Sequence, residues 1–89
     1  PAEVENAIYE LPQVSEAAVI GMKDEKWGEV GMAAVVVKEG QELTREEVIA
    51  HLKGRLAKYK IPKSIVFTDN LPRNAAGKVL KNVLREAHS

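Results

Sequence analysis

The protein is a chain of 89 residues with 13 basic and 13 acidic side chains, so its formal net charge is zero. Hydrophobic residues make up 45% of it and charged residues 29%, which is typical of a single soluble globular domain. It contains no cysteine, which excludes disulfides, thiolate metal sites and cysteine nucleophiles, and its longest apolar run, residues 32–37, is too short to span a bilayer.

The first half of the chain predicts a helix followed by a hairpin. Apolar residues recur at helical spacing over residues 4–11, Pro1 suits the first turn, and Pro12 ends the helix. Residues 15–22 alternate as a strand, and residues 31–38 read as a second, valine-rich strand that is buried on both faces. A charged turn separates the two strands, so we expect them to form an antiparallel hairpin.

A capping box predicts where the second helix begins. Thr44 supplies the capping hydroxyl, and Glu47 supplies the carboxylate three residues later. Gly54 falls inside this predicted helix and weakens it by about 1 kcal/mol relative to alanine. The stripe that we expect to be buried consists of Val48, Ile49, Leu52 and Leu56.

The remainder of the chain predicts a strand, a loop and a last helix. Residues 64–68 read as a short third strand, and residues 71–77 form a loop. The last helix follows at once, with an apolar side made of Val79, Leu80, Val83, Leu84 and Ala87. The order αββαβα predicts an α+β fold, in which a small mixed sheet of about three strands is packed by helices.

The charges are unevenly distributed along the chain. Residues 1–52 hold 4 basic and 11 acidic side chains, whereas residues 53–89 hold 9 basic and 2 acidic ones. One interpretation is that the second half binds an anionic partner. The other is that the two halves complement each other in the fold, and the sequence leaves both open.

The histidines and serines do not predict a catalytic or metal site. His51 shares a helix face with Glu47 and Arg55, so we expect it to be exposed to solvent, and His88 lies next to the end of the chain. Neither has a metal-ligand companion at a fixed spacing, and of the serines only the terminal Ser89 has a histidine near it in the sequence, the adjoining His88. We therefore expect no metal site and no serine triad.

Lys78 follows a flexible Ala-Ala-Gly segment at the predicted start of the last helix. A phosphate-binding loop of the Walker type is excluded, because Pro72 replaces the required glycine and Val79 replaces the required hydroxyl residue. A lysine beside a helix N-terminus can hold an anion. The alternative is an ordinary solvated lysine, which the spacing alone favours.

Two aromatic side chains have two interpretations each. Trp27, the only tryptophan, either packs over its own hairpin or serves a ligand site. Tyr59 lies among three lysines, where an aromatic ring could stack on a base beside phosphate-binding charges. The alternative is that Tyr59 covers the edge of the core with its hydroxyl in water.

The segment over residues 71–81 reads LPRNAAGKVLK, which closely resembles the last core motif of the adenylate-forming superfamily. This superfamily comprises acyl-CoA synthetases, peptide-synthetase adenylation domains and beetle luciferases. Three other segments resemble the C-terminal domain of its members in the same order: residues 1–5, the hairpin over residues 14–29, and the basic segment over residues 56–63. The chain thus resembles the C-terminal domain of an AMP-forming acyl-CoA synthetase over nearly its whole length.

The resemblance implies an ATP-dependent carboxylate–CoA ligase that forms an acyl-adenylate and then a thioester. It implies that Lys78 is the adenylation lysine, positioned by a loop that contains Arg73 and Gly77. It also implies that, after a domain rotation, Trp27 and Gly28 contribute to a tunnel for the pantetheine arm of coenzyme A. The CoA nucleotide would contact two further residues, Tyr59 and Lys60, although Ile61 is apolar where some relatives carry a cation.

The resemblance further implies that residues 1–89 are one domain cut from a larger cytoplasmic ligase, whose large N-terminal adenylation domain is the partner. ATP with Mg²⁺ and coenzyme A would be co-substrates of the whole enzyme, and the isolated chain is expected to be inactive and to bind neither tightly. No nucleic-acid partner and no membrane span are expected. The missing initiator methionine fits a fragment.

Two other functions remain open. A carrier-protein-loading adenylation domain would share the same motifs, although the segment Trp27-Gly28-Glu29 favours a CoA ligase. A stand-alone module could bind nucleotides or nucleic acid through the basic second half, but the chain has only 4% aromatic residues and no known RNA- or DNA-binding signature. The acyl substrate cannot be derived from these residues, and fatty acids and short dicarboxylates such as malonate both remain possible.

Overall fold

A computed structural model describes residues 2–88 of the chain, so the predicted role of Pro1 in the first turn lies outside the described residues. The elements follow the predicted order αββαβα. They are α1 (Ala2–Tyr9), β1 (Val14–Asp24), β2 (Gly28–Val37), α2 (Arg45–Lys53), a 3₁₀ turn (Lys58–Lys60), β3 (Ser64–Phe67) and α3 (Lys81–Ala87). The predicted α+β fold is confirmed.

The described residues form one mixed sheet of three strands in the order β1-β2-β3. β1 and β2 pair as the predicted antiparallel hairpin, in which Ala18 lies opposite Ala34. β3 joins β2 in parallel after the α2 crossover, with Ile65 beside Ala33. β2 is therefore the central strand, which explains why its run of valines and alanines is buried on both faces.

The two faces of the sheet support separate hydrophobic clusters. One face packs against α1 and α2, where Ile8, Val48 and Leu52 are fully buried around Val35. The other face is covered by Leu71 and by Leu84 of α3. Side chains alternate between the two clusters along β1 and β2, as the period of a strand requires. Among the described residues, no helix has the length and apolar character needed to cross a membrane.

The capping box of α2 is confirmed, whereas the predicted position of Gly54 inside the helix is wrong. The Thr44 hydroxyl accepts the backbone N–H of Glu47 at 3.1 Å, and the Glu47 carboxylate accepts the N–H of Thr44 at 2.9 Å. The helix ends at Lys53, and Gly54 is the C-cap, whose N–H donates to His51 and Leu52 carbonyls. Glycine is a poor helix former and so ends the helix where the pattern alone would extend it.

The predicted exposure of His51 is wrong. Its side chain is only 19% exposed, and Nε2 lies 2.8 Å from the carbonyl oxygen of Ala7 and 3.1 Å from Oε1 of Glu10. The helix face that His51 shares with Arg55 turns toward the end of α1, and Arg55 donates to the same Glu10 oxygen at 2.7 Å. His51 therefore joins two helices, which a reading of α2 alone could not reveal.

Ion pairs join the acidic first half of the chain to its basic second half. Lys60 binds Glu3 at 2.7 Å and Lys81 binds Glu5 at 3.1 Å. Two further pairs between the halves are Arg55–Glu10 and Arg73–Glu16. These contacts support the interpretation that the acidic and basic halves complement each other in the fold.

Candidate functional site

Lys78 lies in a tight loop that is closed by a short antiparallel bridge. Arg73 pairs with Val79 across the loop, and the N–H of Leu80 donates to the Pro72 carbonyl at 2.8 Å. The N–H of Gly77 donates to the Asn74 carbonyl at 2.9 Å, which closes a four-residue turn. Gly77 has a φ of 86°, a conformation that favours glycine.

The predicted location of Lys78 at the start of the last helix is wrong. α3 begins at Lys81, because the bridge between Arg73 and Val79 keeps the backbone extended through the residues just before it. The apolar side predicted for this helix is therefore only partly buried. Leu84 is buried, whereas Leu80 and Val83 are exposed. Lys78 therefore extends from a turn and not from a helix end, so the helix-terminus argument for anion binding does not apply to it.

Arg73 attaches the Lys78 loop to the sheet. Its Nη1 donates to the Gly77 carbonyl at 2.7 Å, and its Nε donates to Oε1 of Glu16 on β1 at 3.0 Å. Nη2 of the same guanidinium donates to the same Glu16 oxygen. One rigid, planar side chain thus connects the residue before Lys78 to a strand, which agrees with a positioning role for Arg73 and Gly77.

The ammonium group of Lys78 has no ion pair or hydrogen bond with any residue from 2 to 88. It borders an open groove of about 780 Å³ that Lys81, Asn82 and Val83 also line. Lys81 donates to Oε2 of Glu5, whose carboxylate also accepts the N–H of Val19 at 2.8 Å. Of the two lysines that border the groove, Lys78 is therefore the one whose charge no carboxylate compensates.

The hairpin tip is organised by the Asp24 carboxylate. Its Oδ1 accepts the backbone N–H groups of Lys26 and Trp27, each at 2.9 Å. The bond from the Trp27 N–H, followed by that from Lys26, lowers the pKa of the Asp24 carboxyl below its ordinary value. Gly28 completes the turn with a φ of 81°. This turn determines where the Trp27 side chain leaves the hairpin.

We expect the hairpin tip to keep its geometry until the solution is strongly acidic. Because the folded pKa of Asp24 is lowered, its contribution to stability is present above the unfolded pKa and is lost as the pH falls through the folded pKa. The backbone amide resonance of Trp27, followed by NMR, should titrate with a midpoint below that of an unpaired aspartate. Asp24→Asn keeps an acceptor oxygen and is expected to abolish this titration, whereas a midpoint at the ordinary aspartate value would contradict the assignment.

Trp27 and Tyr59 border one groove on the protein surface. The Trp27 side chain is 61% exposed, and its ring lies 5.1 Å from Nζ of Lys26 and 5.4 Å from Nζ of Lys63. Tyr59 is 84% exposed, so it does not cover the edge of the core. The groove has a volume of about 730 Å³, and Lys58 and Ile61 also line it. The interpretation that Trp27 merely packs over its own hairpin is not supported, because Lys63 lies outside the hairpin.

Lys60 lies beside Tyr59, with its Nζ 5.8 Å from the centre of the Tyr59 ring, but its charge is already compensated. Its Nζ donates to Oε1 of Glu3 at 2.7 Å, and this hydrogen bond, with the attraction of the same carboxylate, raises the pKa of Lys60. A lysine whose charge is already compensated attracts an anion less than Lys58 or Lys63, neither of which forms an ion pair within residues 2–88. The sequence had placed Lys63 among the three lysines around Tyr59 but not among the residues predicted to contact CoA.

The Lys78 groove and the Trp27 groove have no lining residue in common. The predicted site residues thus fall into two groups, with Arg73, Gly77 and Lys78 in one and Trp27, Gly28, Tyr59 and Lys60 in the other. Two residues that hold the Lys78 loop had been missed, Asn74 within the loop and Glu16 on β1. Within the described part of the chain, no cluster of three or more histidine, aspartate or glutamate side chains is placed to hold a metal ion.

The family described as the AMP-binding enzyme C-terminal domain matches residues 3–78 of the chain. A methyl-dioxo-octahydro-indenyl-propanoyl:CoA ligase of Rhodococcus jostii is 58% identical over 86 residues, which are 97% of this chain and 17% of that protein. The long-chain-fatty-acid–CoA ligase FadD13 of Mycobacterium tuberculosis is 49% identical over 89 residues, covering 100% of this chain and 18% of that protein.

Solved structures agree with these matches. The ATP-bound crystal structure of MatB from Rhodopseudomonas palustris superposes with a TM-score of 0.95 at 45% identity, covering 99% of this chain and 18% of that one. The chain therefore spans less than a fifth of the length of the relatives that it matches.

Proposed function

Because the chain belongs to the AMP-binding enzyme C-terminal domain family, whose matched relatives are acyl-CoA ligases, we propose that residues 1–89 are the mobile C-terminal domain of a longer ATP-dependent carboxylate–CoA ligase. The observation that carries the proposal is the uncompensated ammonium of Lys78 on a loop tied to the sheet by Arg73. Its partner is the large N-terminal domain of the same protein, which would contain the acyl pocket and most ATP contacts.

In the first half-reaction, a carboxylate oxygen of the substrate attacks the α-phosphorus of ATP, pyrophosphate leaves, and an acyl-adenylate forms. Negative charge accumulates around the α-phosphate as the new bond forms. A cation held in place there stabilises the transition state strongly, since water is excluded from the closed site and the cation needs no reorganisation. Lys78 supplies this cation, and ATP enters as its Mg²⁺ complex.

In the second half-reaction, the thiol of coenzyme A attacks the acyl carbonyl and AMP leaves. Trp27 and Gly28 border the pantetheine tunnel, and Tyr59 lies beside the CoA nucleotide. Lys60 approaches this nucleotide once its ion pair with Glu3 is broken. Support comes from the exposed aromatic rings and from the ammonium groups of Lys58 and Lys63 in the same groove, neither of which is ion-paired within residues 2–88. The separation of this groove from the Lys78 groove suits a domain that presents one surface in each step and rotates between them.

The test is an assay of the full-length protein with ATP and a panel of carboxylic acids that includes fatty acids and short dicarboxylates. Formation of AMP, pyrophosphate and an acyl-CoA with at least one acid supports the proposal. Acyl transfer to a phosphopantetheinyl carrier protein but not to coenzyme A would favour the carrier-protein-loading alternative. Tight, saturable ATP binding by residues 1–89 alone would instead favour a stand-alone nucleotide-binding module.

Replacement of Trp27 by alanine is expected to impair only the second half-reaction. Burial of a large apolar side chain against a ligand typically contributes about 1.5–3 kcal/mol, so the KM for coenzyme A should rise about 10- to 100-fold. The rate of pyrophosphate formation should change little. The measurement is steady-state kinetics of the full-length protein with varied coenzyme A.

The control is Trp27→Phe, which keeps an aromatic ring at the hairpin tip. We expect this variant to retain most of the affinity for coenzyme A, because phenylalanine also presents an aromatic face to the ligand and to the Lys63 ammonium. Unchanged coenzyme A kinetics in Trp27→Ala would refute the tunnel assignment.

A further inference from the structure

We infer that Asn74 is a positioning residue for adenylation, which holds the backbone of Lys78 from both sides and so places its ammonium. The inference rests on the proposed role of Lys78, and it concerns a residue outside the reacting groups. Asn74 differs from Arg73 in what it holds, because Arg73 binds the carbonyl of Gly77 while Asn74 binds the Lys78 residue itself.

The contacts of Asn74 with Lys78 form a closed ring of hydrogen bonds. The backbone N–H of Asn74 donates to the Lys78 carbonyl at 2.9 Å. The side-chain oxygen Oδ1 of Asn74 accepts the N–H of Lys78 at 3.0 Å and the N–H of Ala76 at 2.9 Å. Both polar groups of the Lys78 backbone are thus bound by one residue, which fixes the direction in which its side chain leaves the loop.

Apart from the bonds of Arg73 and its bridge to Val79, the loop is held by no packing of side chains. Every residue from 73 to 78 is exposed, so no side chain between Arg73 and Val79 is anchored in the core. In the absence of packing, hydrogen bonds to backbone groups determine the conformation of a loop. Without Oδ1 of Asn74, two N–H groups of the turn lose their acceptor and exchange it for water, and the position of Lys78 becomes variable.

The chemistry of the loop explains why an asparagine suits this position. The acceptor must reach N–H groups two and four residues ahead, which the short side chains of asparagine and aspartate do and which serine does more weakly. An aspartate would place a negative charge beside Lys78 and reduce the positive potential that it supplies. Asparagine provides the acceptor oxygen without that charge.

The experiment compares Asn74→Ala, Asn74→Ser and Asn70→Ala in the full-length protein. Asn70 is the matched control, since it is an exposed loop asparagine whose side chain has no hydrogen bond within residues 2–88. For Asn74→Ala we expect the kcat of acyl-adenylate formation to fall about 10- to 100-fold, the scale of a small misplacement of a catalytic group. Thioester formation from supplied acyl-adenylate should be unchanged, and Asn74→Ser should restore part of the adenylation rate.

A purely structural role would lower the thermal midpoint and slow both half-reactions, so either result in Asn74→Ala would overturn the inference. So would wild-type adenylation rates in Asn74→Ala, or a loss of similar size in Asn70→Ala. A double-mutant cycle supplies the last readout. If Asn74 acts through Lys78, adding Asn74→Ala to Lys78→Ala should cause no further loss, whereas multiplicative losses would contradict the inference.

The cycle also separates this inference from the proposed function. If Lys78→Ala alone leaves adenylation intact, the proposed function fails and the role of Asn74 fails with it. If Lys78→Ala cripples adenylation and Asn74→Ala does not, only the inference about Asn74 fails.

Discussion

Replacement of Lys78 by alanine in the full-length protein is expected to reduce the rate of acyl-adenylate formation by about 10²–10³-fold, the usual cost of removing one group aimed at developing charge. The ammonium of Lys78 has no partner within residues 2–88, so its loss leaves no buried acceptor unsatisfied and the fold should be unaffected. Thioester formation from supplied acyl-adenylate should continue, because the Trp27 groove lies elsewhere on the domain. Pyrophosphate release and thiolysis, measured separately, provide the comparison.

Lys53→Ala is the matched control for Lys78→Ala. Lys53 is an exposed lysine in the last turn of α2, and it lines neither groove. The same change of charge at this position should leave both half-reactions within about twofold of wild type, as surface substitutions away from special features usually do. A loss of similar size in both half-reactions of Lys78→Ala would show that Lys78 does not act in adenylation alone.

Replacement of Leu52 by alanine is expected to destabilise the domain by about 3 kcal/mol. Leu52 is fully buried between α2 and the sheet, and its truncation removes apolar contacts and leaves a cavity. For a domain of this size such a change should lower the thermal midpoint by about 12–24 °C. Thermal unfolding of the 89-residue chain, followed by circular dichroism, measures the shift.

Val83→Ala is the control for Leu52→Ala, because Val83 lies on α3 with half of its side chain in solvent. Removal of apolar atoms there creates no closed cavity, and alanine is the better helix former, so we expect a change within about 0.5 kcal/mol. A broad, non-cooperative transition in the wild-type chain would contradict the expectation that the domain folds without its partner.

Patterns within single elements were reliable guides to the fold. The alternation along β1 and the apolar run of β2 predicted a hairpin with a doubly buried strand, and the Thr44–Glu47 capping box placed the start of α2. These features are local, since each depends on residues within one turn or one strand. The start of α3 was predicted wrongly. The apolar spacing from Val79 onward fits a helix, but the bridge between Arg73 and Val79 keeps the backbone extended there. This bridge links residues across a loop, so it is not visible in a local pattern.

The two halves of the candidate site differed in how much of them could be predicted. The motif over residues 71–81 identified the superfamily, and the comparisons confirm that resemblance. The sequence could not show that Lys81 is neutralised by Glu5 or that Lys60 is bound to Glu3, because these partners are 76 and 57 residues apart in the chain. Asn74 was also missed, although an asparagine four residues before the lysine in a loop is a signal for a side-chain-capped turn.

By itself, the sequence determined the element order and the family, and it predicted Lys78 as the lysine of the chemistry, because helix caps, strand alternation and the residues of a loop motif are all short-range properties. Only the tertiary structure decided which charges remain available. Coulomb attraction acts between groups that are close in space, and the fold alone determines which distant side chains become neighbours. The packing of α1, β1 and α3 brings Glu5 to Lys81 and Glu16 to Arg73, and it leaves the ammonium of Lys78 without a partner among residues 2–88, at the edge of its groove.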